Sequence, residues 1–203
     1  MTQPVRFLIA EDDEIVGRVM VRALSEHGDT ELVTTMKDAR AALQGHSFSA
    51  VVVDVGLPDG CGLDLIAAAR AHDPGVSALV VSGGVDERRL AEAHDLGASY
   101  LLKPVDTRQL GLFAVRMRAR LEQRGEKIAA VVARWTAQYD LTPAEADILE
   151  LAAHGAARAK LAQLRGVAPS TVKKQVQIVL TKTGDTSLEG AVSRLLRAIV
   201  DEG

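Results

Sequence analysis

Five short apolar runs, each followed by a segment of helical periodicity, constrain the fold of this chain more than any other feature. The runs are residues 7–10, 32–33, 51–53, 79–81 and 100–102. After the first, Ile15, Val16, Val19, Met20, Ala23 and Leu24 recur at helical spacing. Further helices are predicted near 38–43, 63–71 and 86–96, and from about Asp106 onward. A run such as Val51-Val52-Val53, apolar at every position, reads as a strand buried on both faces. Strands of that kind alternating with helices predict an α/β fold: a doubly wound parallel sheet with helices on both sides and right-handed crossovers. Such sheets put ligand chemistry beyond the carboxyl ends of their strands.

That rule singles out four charged residues. Glu11 and Asp12 end the first run, Asp54 ends the third within "VVVDVGLPDG", and Lys103 ends the fifth. Carboxylates gathered at one rim repel by about 4 kcal/mol per pair at 4 Å with an effective dielectric near 20, so something positive must offset them. Lys103 is one candidate. A divalent cation with oxygen ligands is the other, and Mg2+ suits one or two carboxylates together with waters and a phosphoryl group. An alternative remains open, in which the acids at 11–14 simply favour a helix N-terminus through its dipole.

The charge of the 203-residue chain, -3 overall, is sorted by region. Up to Glu122 there are 13 Lys+Arg against 18 Asp+Glu, and the remainder has 11 against 9. No acid stands between Glu150 and Asp185, where Arg158, Lys160, Arg165, Lys173, Lys174 and Lys182 fall, so that segment predicts a polyanion-binding surface. No apolar run approaches the roughly 20 residues that a bilayer needs, and the stretch 7–10 stops at acids, so a cytoplasmic protein without membrane contact is expected. Cys61, the only cysteine, allows no internal disulfide and no cysteine metal cluster.

The second part opens with "LTPAEADILELAAHG", where Thr142, Pro143 and Glu145 predict a capping box and Gly155 a helix end. A short helix over 157–165, a turn containing Gly166, and a helix over 169–183 stopped by Gly184 predict a helix-turn-helix. In the second of these helices Val172, Val176, Val179 and Leu180 form a buried stripe, and Lys173, Lys174, Gln177 and Thr181 lie opposite. Lysine and glutamine on such a face suit base edges and phosphates. Ala168 before that helix supplies no side-chain cap. The final helix carries Leu188, Val192, Leu195 and Ile199, a stripe for either core or interface. Between the parts, Ile128, Val131, Val132 and Trp135 predict an amphipathic connecting helix. The expected division is therefore 1–122, a helical linker over 123–139, and a small all-α four-helix unit over 140–203.

The motifs "FLIAEDD", "VVVDVGLPDG", "VVSGG" and "SYLLKP" together resemble the receiver domain of bacterial two-component response regulators, and "LTPAEADILELAAHG", "APSTVKKQV" and "VLTKTG" resemble the LuxR/NarL-type helix-turn-helix. The resemblance implies a CheY-like (βα)5 receiver with strand order 2-1-3-4-5. It implies that Asp54 accepts a phosphoryl group from a histidine kinase, with Mg2+ held by Glu11, Asp12, Asp54 and the Gly56 carbonyl. Lys103 and Ser82 would contact phosphoryl oxygens, and Tyr100 would act as a switch or simply pack. In the second module, Lys173, Lys174 and Gln177 would reach the major groove of double-stranded DNA, with Thr171, Arg158 and Lys182 on phosphates. A homodimer on phosphorylation is implied, and the whole reads as a transcriptional regulator rather than an enzyme. The alternative is a signalling adaptor or phosphate sink whose helical module binds a protein. Gly56 and Gly84 depart from the larger polar residues common in that family, which predicts a short-lived phosphorylated state.

Overall fold

The apolar runs become the strands of a parallel sheet in the computed structural model, which describes residues 4–201. The first element set is β1 Arg6–Ala10, α1 Glu14–Leu24, β2 Asp29–Val33, α2 Met36–Gly45 and β3 Ala50–Asp54. Then follow the two-residue strands β4 Gly56–Leu57 and β5 Gly60–Cys61, α3 Gly62–His72, β6 Ser77–Ser82, α4 Glu87–Asp95, β7 Ser99–Leu102 and α5 Thr107–Tyr139. Among the described residues the sheet has five strands in the order β2-β1-β3-β6-β7, every pair parallel. Counting the long strands alone, this is the expected 2-1-3-4-5. The antiparallel hairpin β4–β5 lies directly after Asp54 and has no signature in the hydrophobic pattern.

Alternation along the strands feeds two apolar layers. Leu8, Ala10, Val51, Val53, Ala78 and Val80 join Met36, Ala39, Leu43, Leu63, Ile66, Ala69 and Ala93 from α2, α3 and α4 in one cluster. Phe7, Ile9, Val52, Leu79, Val81 and Leu101 are equally buried, as are Met20 and Leu24 of α1 and Leu110, Ala114 and Met117 of α5. Val51, Val52 and Val53 are 0% exposed, and full burial of such a side chain contributes about 1.5–3 kcal/mol. One residue of the predicted stripe departs from it: Ile15 is 73% exposed. Gly17 takes the inward position instead, where a Cβ would stand 3.1 Å from Leu32.

The chain divides into two compact units, Met1–Arg120 and Leu121–Gly203. In the second, α6 Pro143–Ala153, a 3-10 turn Arg158–Lys160, α7 Leu161–Leu164, α8 Pro169–Thr183 and α9 Leu188–Asp201 surround one core. Ile128, Val131, Val132 and Trp135, from the later part of α5, belong to that core. The predicted helix over 157–165 is split into the 3-10 turn and the single turn of α7, with Leu161 as its buried anchor. Gly155 and Gly166 bracket this stretch with φ of +89° and +62°, conformations that suit glycine and break helical continuity. On α9, Leu188, Ala191 and Leu195 are buried and Val192, Leu196 and Ile199 pack on the same core.

Candidate phosphoacceptor site and nucleic-acid interface

The sheet edge gathers the acids as the strand ends require. Glu11, immediately after β1, donates its N–H to the Val33 carbonyl at 3.0 Å and is fully buried. Asp54 closes β3, and the Lys103 N–H, just beyond β7, donates to the Ser82 carbonyl at 2.8 Å. The Lys103 ammonium then reaches both carboxylates. Its Nζ donates to Glu11 Oε1 at 2.9 Å and to Asp54 Oδ2 at 2.8 Å. Glu11 Oε2 lies 2.8 Å from the same nitrogen, so both oxygens of the buried carboxylate face the ammonium. Burial pushes the Glu11 carboxyl above its ordinary value, with Asp54 adding to the effect against the pull of Lys103. Burial pulls the Lys103 ammonium down, but its bonds to Asp54 and Glu11 outweigh that and hold it above the usual lysine value.

Carboxylate oxygens of Glu11, Asp12 and Asp54 all lie within 4.8 Å of one another. Three clustered carboxylates, an all-oxygen donor set, fit a hard divalent cation. Asp13 is excluded from this set: its Oδ1 caps α1 by accepting from the N–H groups of Ile15 at 2.8 Å and Val16 at 3.1 Å. Dipole capping and charge clustering thus coexist in "EDDE", on different residues. The Gly56 N–H donates to Asp54 Oδ1 at 3.3 Å.

Two hydroxyls converge on a third point of the rim. Ser82 Oγ donates to the Gly84 carbonyl at 3.0 Å, and Tyr100 Oη donates to the same carbonyl at 3.2 Å. The peptide Lys103-Pro104 is cis. The hairpin after Asp54 is fixed at both ends. Gly62 admits no side chain, since a Cβ there would stand 2.0 Å from the Asp54 carbonyl oxygen. At the turn, Asp59 accepts from the N–H groups of Met36 at 2.7 Å and Lys37 at 3.0 Å, so it caps α2 from across the fold. The bonds to Met36 and Lys37 hold the exposed Asp59 carboxyl below the ordinary range. Pairing at a separation of 23 residues has no local pattern, and the sequence offered no signal for it.

In the second unit Lys173, Lys174, Gln177 and Thr171 are exposed on α8, opposite buried Val172, Val176 and Val179, and Arg158 is exposed on the 3-10 turn. Lys182 is engaged within the unit, its Nζ donating to Glu145 Oε2 at 2.8 Å and to the Asp140 carbonyl at 2.6 Å. Glu145 also closes the expected capping box with Thr142. Arg165, one of the basic residues of the acid-free segment, is held within the unit by Gln175 Oε1 at 2.5 Å, and sequence reading missed Arg194, described below.

The first unit has the sheet order and carboxylate rim of a receiver, and the second is a helix-turn-helix. Residues 7–113 match the model of the response regulator receiver domain. The chain is 31% identical over 176 residues to the transcriptional regulatory protein FixJ of Bradyrhizobium diazoefficiens, covering 82% of this chain and 83% of that one. It is 26% identical over 214 residues to the probable transcriptional regulatory protein NarL of Mycobacterium tuberculosis, covering 96% and 95%. Full-length FixJ from B. japonicum superposes with a TM-score of 0.54 at 26% identity, over 98% of both chains. The relatives are mainly transcriptional regulators, with one protein-glutamate methylesterase among them. The chain belongs to the response regulator family, and its FixJ and NarL relatives span most of its length.

Proposed function

We propose that this protein is a phosphorylation-controlled, DNA-binding transcriptional regulator, with Asp54 as its phosphoacceptor. The observation that carries the reading is the meeting of Asp54, Glu11 and Lys103 within 2.9 Å at the sheet edge. An Asp54 oxygen attacks the phosphorus of a phosphohistidine on a partner kinase. The phosphorus–nitrogen bond breaks, and its electron pair stays on the imidazole. Glu11, Asp12, Asp54 and the Gly56 carbonyl would hold Mg2+, which supplies charge neutralisation for the phosphoryl oxygens. Lys103 keeps its hold on Glu11 and pairs with a phosphoryl oxygen. Ser82 turns its hydroxyl from the Gly84 carbonyl to another phosphoryl oxygen, and Tyr100 becomes the sole hydroxyl on that carbonyl. This exchange of partners biases the receiver between two states.

The phosphorylated form is a homodimer whose α8 helices enter the major groove, with Lys173, Lys174 and Gln177 toward bases and Thr171 and Arg158 toward phosphates. Lys182 adds positive charge from the helix end while tied to Glu145. The protein acts in the cytoplasm, as a regulator rather than an enzyme. Among the described residues, no helix is long and apolar enough to cross a membrane.

Binding to genomic DNA fragments with and without acetyl phosphate and Mg2+, beside Asp54→Ala, tests the reading. Phosphate-dependent binding that disappears in Asp54→Ala is expected. Tight binding in every condition would remove the switch, and binding indifferent to charge reversal at Lys173 and Lys174 would point to a protein partner.

A further inference from the structure

The recognition helix α8 ends at Thr183, with Gly184 in the left-handed conformation donating its N–H to the Leu180 carbonyl at 2.9 Å. A helix end leaves carbonyls without partners. One of them, on Thr183, accepts from Nη2 of Arg194 at 3.1 Å. The same guanidinium grips Asp185 with two prongs, Nε to Oδ1 at 3.2 Å and Nη2 to Oδ2 at 2.7 Å. Its remaining arm, Nη1, donates to Tyr139 Oη at 2.9 Å. The plane is also stacked: Cζ lies 4.1 Å from the Trp135 ring centroid, and Trp135 meets Tyr139 edge to face at 5.6 Å. One side chain of α9 therefore joins the last turn of α5, the end of α8 and the α8–α9 link.

We infer that Arg194 is a positioning residue for DNA recognition, fixing the C-terminal end of α8 against α5 and α9 so that Lys173, Lys174 and Gln177 present one orientation to the groove. The inference rests on the DNA-binding reading above. Base readout depends on orientation because a bidentate contact tolerates little rotation, whereas attraction to phosphates depends mainly on charge. Arg194 thus governs specificity more than bulk affinity. Lysine cannot replace it, since an ammonium lacks the planar fork that serves Asp185, Thr183 and Tyr139 together and stacks on Trp135 less well.

The test uses the full chain, phosphorylated with acetyl phosphate, with Arg194→Lys and Arg194→Met. Wild-type protein first selects duplexes from a random pool. Affinity of both variants for the selected duplex is expected to fall by roughly tenfold, the scale of one good base contact, with binding to unrelated duplex retained. Amide exchange at residues 182–184 should accelerate while Ile148 and Leu149 in α6 keep their protection. The emission of Trp135, the only tryptophan, should shift in both variants. Full rescue of specificity by Arg194→Lys would overturn the inference, as would unchanged exchange at 182–184. Equal loss on both duplexes that follows global unfolding would also overturn it. A wild-type chain that selects no duplex overturns the DNA reading instead, and the exchange data then decide Arg194 alone.

Discussion

Single residues set the chemistry and the timing of this site. A Cβ on Gly56 or Gly84 would meet nothing within 4 Å, so these two positions leave open space where a side chain could shield a phosphoryl group from water. Gly56→Asn is expected to lengthen the aspartyl-phosphate lifetime several-fold, measured by loss of label after acetyl phosphate is removed. A wild-type half-life of many hours would contradict the idea. His154, at the end of α6, supplies a second test. Burial pushes its imidazole below the ordinary 6.5, opposed by the Glu150 carboxylate and aided by the Arg124 guanidinium. With the folded value depressed, the unfolded chain takes the proton first as pH falls, so stability is full above about 6.5 and declines below it. The thermal stability of the second unit should fall as pH drops below about 6.5, and His154→Gln should flatten that decline.

At the scale of elements, α8 begins on Ala168 without a side-chain cap. Ala168→Ser is expected to stabilise the second unit by about 1 kcal/mol, raising its midpoint by roughly 4–8 °C in a scanning experiment. The strands were legible because a parallel strand buried on both faces must be apolar at each position, and Val51-Val52-Val53 can be little else. The carboxylate rim followed from topology alone. Where sequence reading fell short, the cause was context. α5 is a single helix of 33 residues, where the sequence was read as a helix from about Asp106 and then a helical linker over 123–139. Gly125 costs a helix about 1 kcal/mol against alanine, which packing of Ile128, Val131 and Trp135 in one core outweighs. Asp59, Lys182 and Arg194 find their partners through the fold, 23, 37 and 55 residues away, and no window of neighbours contains such information.

The whole molecule separates its charge, acids with the phosphoacceptor and bases with the recognition helix. Duplex affinity should therefore fall steeply with salt, and Arg158→Met should lower the log–log slope by about 1 without changing which duplex is preferred. A steepness unaffected by that change would remove Arg158 from the phosphate contacts. The ammonium of Lys103, bonded to Glu11 and Asp54 at once, gives the receiver a resident counter-ion. Any divalent cation that arrives there would meet oxygens already partly neutralised, so its apparent affinity would fall below the intrinsic strength of the acid cluster. Lys103→Met should consequently bind Mg2+ more tightly in titration calorimetry while losing its ability to be labelled by acetyl phosphate. Occupancy and competence would then move in opposite directions, and a tighter metal site would mark a poorer receiver.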